Sequence, residues 1–274
     1  MNDNRPILVA TDLSARTDRA VDRATLLGKV WGAPLLVSHV VEVDSRLAGK
    51  LDTAAAAVRD VLPDPASPAE VLIAEGSVPE TIVKQAIEND CQLIVTGVAR
   101  FNHIGDFFIG TAVDRVIRDA VTPVLIVKQR PRTEYRTVVA TTDYSTCSRH
   151  ALLTAANMFP DAEMHIAHAF HVPFEGFLSV KENLEAFQAE AQAELDAFVS
   201  SPSLPPAVRA RLKCHLRYGE TATVVQQVAD EVAADILVAG THGRSGFSKA
   251  AFGSMAEALV RCALIDTMII RELA

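Results

Sequence analysis

Three glycines at fixed spacing, at the junction of a strand pattern and a helix pattern, form the part of this sequence best suited to chemistry. Residues 240–254 read GTHGRSGFSKAAFGS, with Gly240, Gly243 and Gly253 followed by Ser254. The apolar run Ile236 to Ala239 leads into Gly240, and a helical pattern opens at Met255. A strand entering a glycine-rich loop that opens a helix suits a phosphate. Glycines let backbone N–H groups come close to an anion, and the helix N-terminus adds unpaired donors and its dipole. The spacing is neither the dinucleotide G-x-G-x-x-G nor a P-loop, which would end in Gly-Lys-Ser/Thr. Gly240, Thr241, His242 and Gly243 are the candidate phosphate contacts, with Gly253, Ser254 and Met255 offering N–H groups. His242 is either a ligand contact or a solvated loop histidine. Arg244 and Lys249 sit inside the same span, placed equally well to neutralise phosphate or to face water.

A second set of candidates is histidine-rich. His165, His168 and His171 are spaced by three along a strand pattern and its exit, where i and i+3 point to opposite faces. The three therefore do not converge on one metal in a regular strand. Cys214-His215 lies in the next strand pattern and keeps a zinc site open as an alternative to separate core, rim and surface histidines.

The elements that must position these groups occur twice. Ile7 to Ser14 (ILVATDLS) recurs as Val138 to Ser145 (VVATTDYS), and Leu93-Ile94-Val95-Thr96-Gly97 answers Ile236-Leu237-Val238-Ala239-Gly240. Asp12 and Asp143 are 131 residues apart and His39 and His168 are 129 apart, whereas Gly76 and Gly219, like Gly110 and Gly253, are 143 apart. The jump places an insertion at 172–206, containing a helical run over 182–199 and the aromatics Phe174, Phe177, Phe187 and Phe198. It reads as a longer helix burying them, or as a lid. Strand patterns in the first half end near Thr11, Val41, Glu75, Thr96 and Lys128, separated by helical patterns over 18–30, 47–61, 78–88 and 111–120. Near-continuous apolar strands alternating with helices predict a parallel sheet covered on both faces, with a ligand crevice at the strands' carboxyl ends. The expected units are 1–130 and 135–274, joined through Pro131 to Tyr135. In the first half the loop reads GVARFNHIGDFFIGT, and Arg100 stands where the second glycine would be. Either Arg100 folds over an anion or this half has lost phosphate binding; loss is the reading taken.

The pattern G-x2-G-x9-G-[S/T] resembles the signature of the universal stress protein family in its nucleotide-binding branch, and the resemblance covers nearly the whole chain, twice. It implies an α/β fold of two tandem doubly wound parallel-sheet domains, Rossmann-like as in the adenine nucleotide alpha hydrolases, with strand order 3-2-1-4-5. It also implies a pseudo-dimer in which the last strands, at 124–128 and 267–271, pair. The implied ligand is ATP, or AMP or ADP, with or without Mg²⁺, held mainly by the second half in a stress-sensing or regulatory role. Asp143 then sits beside the adenosine, accepting from ribose hydroxyls; capping the following helix is its other role. Thr142 offers backbone contacts to the base, and Ala169 takes the apolar adenine-side position. At most a slow ATPase is implied, since only His242 could serve as a base, with Mg²⁺ at Ser254, Ser145 or Asp143. A non-nucleotide scaffold or small-ligand binder is the remaining alternative.

Composition narrows the classes further. The 274 residues carry 26 basic and 34 acidic side chains, net −8, which disfavours nucleic acid as a partner. The basic run Lys128 to Arg132 falls at the linker. No apolar run approaches the ~20 residues of a membrane span. Four cysteines lack CxxC pairing, and the N-terminal residues enter a strand pattern at once, so no secretory leader is expected and the cytoplasm is the expected compartment. Further pairing of two chains stays open.

Overall fold

The structure, a computed structural model, describes residues 4–43, 45–98, 100–103, 106–108, 110–171, 180–241 and 253–272, and no side chains within 100–108 and 180–183. The first half runs β1 (Ile7–Ala10), α1 (Asp18–Trp31), β2 (Leu35–Val41), α2 (Leu51–Asp60), β3 (Glu70–Glu75), α3 (Val78–Glu88) and β4 (Leu93–Gly97). A short hairpin follows, β5 (Arg100–His103) and β6 (Asp106–Phe108), then α4 (Thr111–Asp119) and β7 (Val124–Val127). The second half runs β8 (Thr137–Thr141), α5 (Thr146–Met158), β9 (Glu163–Phe170), α6 (Val180–Ser200), α7 (Pro206–Ala210) and β10 (Leu212–Tyr218). It closes with α8 (Thr221–Glu231), β11 (Ile236–Gly240), α9 (Ser254–Cys262) and β12 (Asp266–Ile270).

One ten-stranded sheet unites the halves in the order β10-β9-β8-β11-β12-β7-β4-β1-β2-β3. Within that sheet the strands of each half lie parallel. The halves meet where β12 pairs antiparallel with β7, Met268 opposite Leu125. Central strands are apolar because both faces are covered: every residue of β2 is buried, whereas the edge strands β3 and β10 are half exposed. Lys213 and Arg217 on β10 add charge to that edge. Leu27, Val58, Leu152 and Phe198 from α1, α2, α5 and α6 pack on one face; Ile82, Ile117, Val228 and Leu259 from α3, α4, α8 and α9 pack on the other.

Two local departures from the sequence pattern have physical causes. Helix α2 begins at Leu51, four residues later than the apolar periodicity suggests, because Gly49 adopts φ +70°, outside the helical region. The first-half segment that matches the glycine loop contains a β-hairpin instead, with β6 lying against α9 of the other half.

The seam is built around a buried acid. Asp266 Oδ1 accepts from the backbone N–H groups of Lys128 (2.8 Å) and Gln129 (3.0 Å), and Oδ2 accepts from Tyr135 Oη (2.5 Å) and faces Arg23 Nε at 3.4 Å. Lys128 is 2% exposed, its Nζ donating to the Ala263 carbonyl (2.8 Å) and Thr267 Oγ1 (3.1 Å). Burial drives its pKa down from 10.5 to about 7, against the partial opposition of Asp266. Phe159 packs on Trp31 and, edge to face, on Tyr135, tying the second half's α5 exit to the first half.

Candidate functional site

The carboxyl ends of β8, β9 and β11 form a rim, and the turn leaving β8 is shaped by short polar side chains. After β8 the chain passes through Tyr144 at φ +64°, a region that side chains with a Cβ seldom adopt. Tyr144 N donates to Thr142 Oγ1 (3.0 Å), which in turn pairs with Ser148 Oγ (3.0 Å). Asp143 Oδ1 accepts from the N–H (3.1 Å) and the hydroxyl (2.6 Å) of Ser145. Ser145 is the N-cap of α5, its Oγ accepting from Ser148 N at 3.1 Å. The capping role thus falls to Ser145, while Asp143 holds Ser145 in place with its carboxylate at the rim. The first half repeats the turn: Leu13 has φ +61°, its N–H donates to Thr11 Oγ1, and Asp12 Oδ1 accepts from Ser14.

His168 Nδ1 donates to the Thr142 carbonyl (2.7 Å), and the tilted Tyr144 ring lies 4.3 Å from the imidazole. That bond fixes the tautomer and leaves Nε2 the acceptor in the neutral ring. His39 makes the same bond to the Thr11 carbonyl at 2.9 Å. Gly240 is forced to be glycine by packing: a Cβ there would lie 2.7 Å from Cys147 Sγ and 3.2 Å from that residue's carbonyl. Thr241 is buried, and its carbonyl accepts from Gly253 N at 2.9 Å, which brings the two ends of the glycine loop together. Gly253 is the N-cap of α9, and among the described residues no side chain caps that helix.

These groups enclose a cavity of ≈ 430 Å³, within the range of roughly 300–1,000 Å³ usual for small-molecule sites. Thr142, Asp143, Ala169, Gly240, Thr241, Gly253, Ser254 and Met255 all line it. His242 and Gly243, with Arg244 and Lys249, lie outside the described residues, as do Phe174 and Phe177 of the insertion. Ser148, Thr221 and Leu259 also line the cavity and were not singled out from sequence, and His168, one of the histidine candidates, lines it beside them. His168 was detectable as the repeat of His39. A second cavity, ≈ 580 Å³, occupies the matching rim of the first half.

The histidines separate. His165 is buried on β9, its Nδ1 sharing a proton with His215 Nε2 (2.8 Å) and its Nε2 2.9 Å from Glu163 Oε1. Burial lowers the pKa of both rings, Glu163 opposing the shift at His165 and the neighbouring His165 adding to it at His215. His168 is at the rim and His171 is exposed beyond it. Among the described residues no three His, Cys, Asp or Glu side chains are grouped to hold a metal. Among them, too, no helix is long and apolar enough to cross a membrane.

Two doubly wound units, each with a cavity at its carboxyl rim, define a tandem α/β protein. The profile of the universal stress protein family matches residues 3–128 and again 134–271, and the chain belongs to that family. Universal stress protein G of Shigella flexneri and that of Escherichia coli O157:H7 are each 30% identical over 130 residues, spanning 45% of this chain and 85% of the relative. Among solved structures, a universal stress protein of Archaeoglobus fulgidus aligns over 98% of this chain and 99% of its own, with TM-score 0.65 and 17% identity. A Pseudomonas aeruginosa protein described as functionally unknown aligns over 98% and 93%, with TM-score 0.68 and 20% identity. Both structural likenesses speak to the fold.

Proposed function

We propose that the second half binds ATP or a related adenine nucleotide, and that the protein is a cytoplasmic stress-response sensor or regulator, with the unit boundary in the 131–135 linker. The observation carrying this reading is the second-half cavity, whose wall joins the start of α9, without a side-chain cap among the described residues, to the closed ends of a glycine loop. Phosphates belong at that end, where backbone N–H groups and the helix dipole favour negative charge. Ala169 and the His168 ring border the opposite wall and suit a flat apolar base, and Asp143 is placed to accept from ribose hydroxyls. Asp143 is also the sole acidic side chain among the described residues lining this cavity. A Mg²⁺ companion would therefore take one carboxylate here and the rest of its oxygen shell from phosphates and water.

Displacement of a fluorescent ATP analogue tests the reading. Wild type should bind it with micromolar or tighter affinity, and Asp143→Ala should weaken binding about tenfold, in keeping with a hydrogen bond to a charged group. Equal affinity in the two proteins would remove Asp143 from the site. Release of inorganic phosphate, followed with and without Mg²⁺, separates a slow ATPase from a binder that holds its nucleotide intact.

A further inference from the structure

The duplication allows the two rim cavities to be compared residue by residue, and they differ in polarity. Val78 and Val98 line the first cavity at the positions where the second half has Thr221 and Thr241, and Val40 stands for Ala169. Each exchange makes the first cavity more apolar. Val98 replaces the threonine that directly follows the first glycine, and Arg100 replaces the second glycine. Beyond Val98 the backbone of β5 and β6 pairs with itself: Arg100 is opposite Phe108 and Phe101 opposite Phe107. Backbone groups engaged in that ladder are not turned toward an anion. The threonine after the first glycine and the second glycine are therefore replaced, whereas the helix start at Gly110 and Thr111 still lines the cavity and the space is larger, at ≈ 580 Å³ against ≈ 430 Å³.

Other exchanges run the other way, Ala112 standing for Met255 among them. Thr96 takes the place of Ala239, is 3% exposed, lines the cavity, and its Oγ1 has no hydrogen-bond partner among the described residues. Ser45 Oγ on the same lining is likewise buried and unpartnered among them. A buried hydroxyl without a partner is unfavourable, and in native proteins such a group usually has one. The charged lining residues Asp12, Glu42 and Arg46 are exposed, and a mostly apolar chamber containing unsatisfied hydroxyls is a built environment for an apolar molecule carrying a polar group.

We propose that the first half is a second ligand site, taking an uncharged small molecule with an apolar body and one hydroxyl, carbonyl or amine group that hydrogen-bonds Thr96 Oγ1. The site is independent of nucleotide binding in the second half, so failure of either reading leaves the other standing.

The test uses the full chain and N-phenyl-1-naphthylamine, a neutral fluorophore with one N–H. Its fluorescence should saturate at about one molecule per chain and be unchanged by excess ATP with Mg²⁺. Val78→Trp, which fills the chamber, should abolish the signal, while the matched Thr221→Trp in the second half should leave it intact. Thr96→Val keeps the shape and removes the hydroxyl. It should weaken binding about two- to tenfold, the range of one net hydrogen bond, without lowering the melting temperature. If Val78→Trp does not fold, Thr96→Val and the ATP competition carry the test. Absence of saturable binding, displacement by ATP, loss of binding in Thr221→Trp, or undiminished affinity in Thr96→Val would each overturn the proposal.

Discussion

At Gly240 the requirement for glycine comes from the first turn of α5, which leaves no room for a Cβ beside Cys147. Gly97 is similarly confined, its Cβ position lying 3.1 Å from the Arg16 carbonyl. Gly240→Ala should therefore cost about 1–3 kcal/mol by overpacking, measured by urea unfolding. Because the nearest atom is the cysteine sulfur, Cys147→Ala should recover part of that loss in the double variant. Strict additivity of the two substitutions would show that the sulfur is not the obstacle. Sequence reading picked out Gly240 but attributed it to close approach of phosphate; packing between a strand end and a helix is invisible in a linear motif. Asp143 was equally open between ribose and cap, and the geometry divides the roles by giving the cap to Ser145.

Between residue and fold stands the turn Thr142–Ser145, in which a left-handed residue, a supported cap and a histidine–carbonyl bond occur together. Ser145→Ala should lower stability by about 1 kcal/mol, as loss of a cap does. Ligand affinity should also fall, since Asp143 then loses the hydroxyl that orients it. Thermal denaturation and nucleotide titration on the same variant check both; reduced stability with unchanged affinity would detach the turn from the site. Helix and strand positions were largely legible in the sequence because the apolar periodicity is strong and appears twice. The pairing of β5 with β6 was not. Its segment was matched to a glycine loop by spacing, and Phe101 opposite Phe107 is a strand pairing that the comparison of halves conceals.

Across the whole molecule the seam and the sites are linked by β12, which joins the two half-sheets and accepts from Thr241 N at its carboxyl end. Pairing through the last strands followed from the family resemblance, whereas the polar cluster beneath it depends on which buried groups face one another. Lys128 titrates near 7 in the folded chain and near 10.5 when exposed, so between those values the unfolded chain binds more protons. Its contribution to stability therefore rises with pH across that window. Tyr135, pushed well above 10 by burial, keeps its proton there. Urea unfolding from pH 7 to 9.5 should show wild type gaining stability relative to Lys128→Met, and parallel curves would contradict the buried lysine's titration. The asymmetry of the two halves is the central claim, and calorimetric titration of ATP with Mg²⁺ into wild type and Gly243→Arg tests it most directly. That substitution copies into the second loop what Arg100 does in the first. One site per chain, lost in Gly243→Arg, is the predicted result; two sites, none, or a site indifferent to the substitution would contradict it.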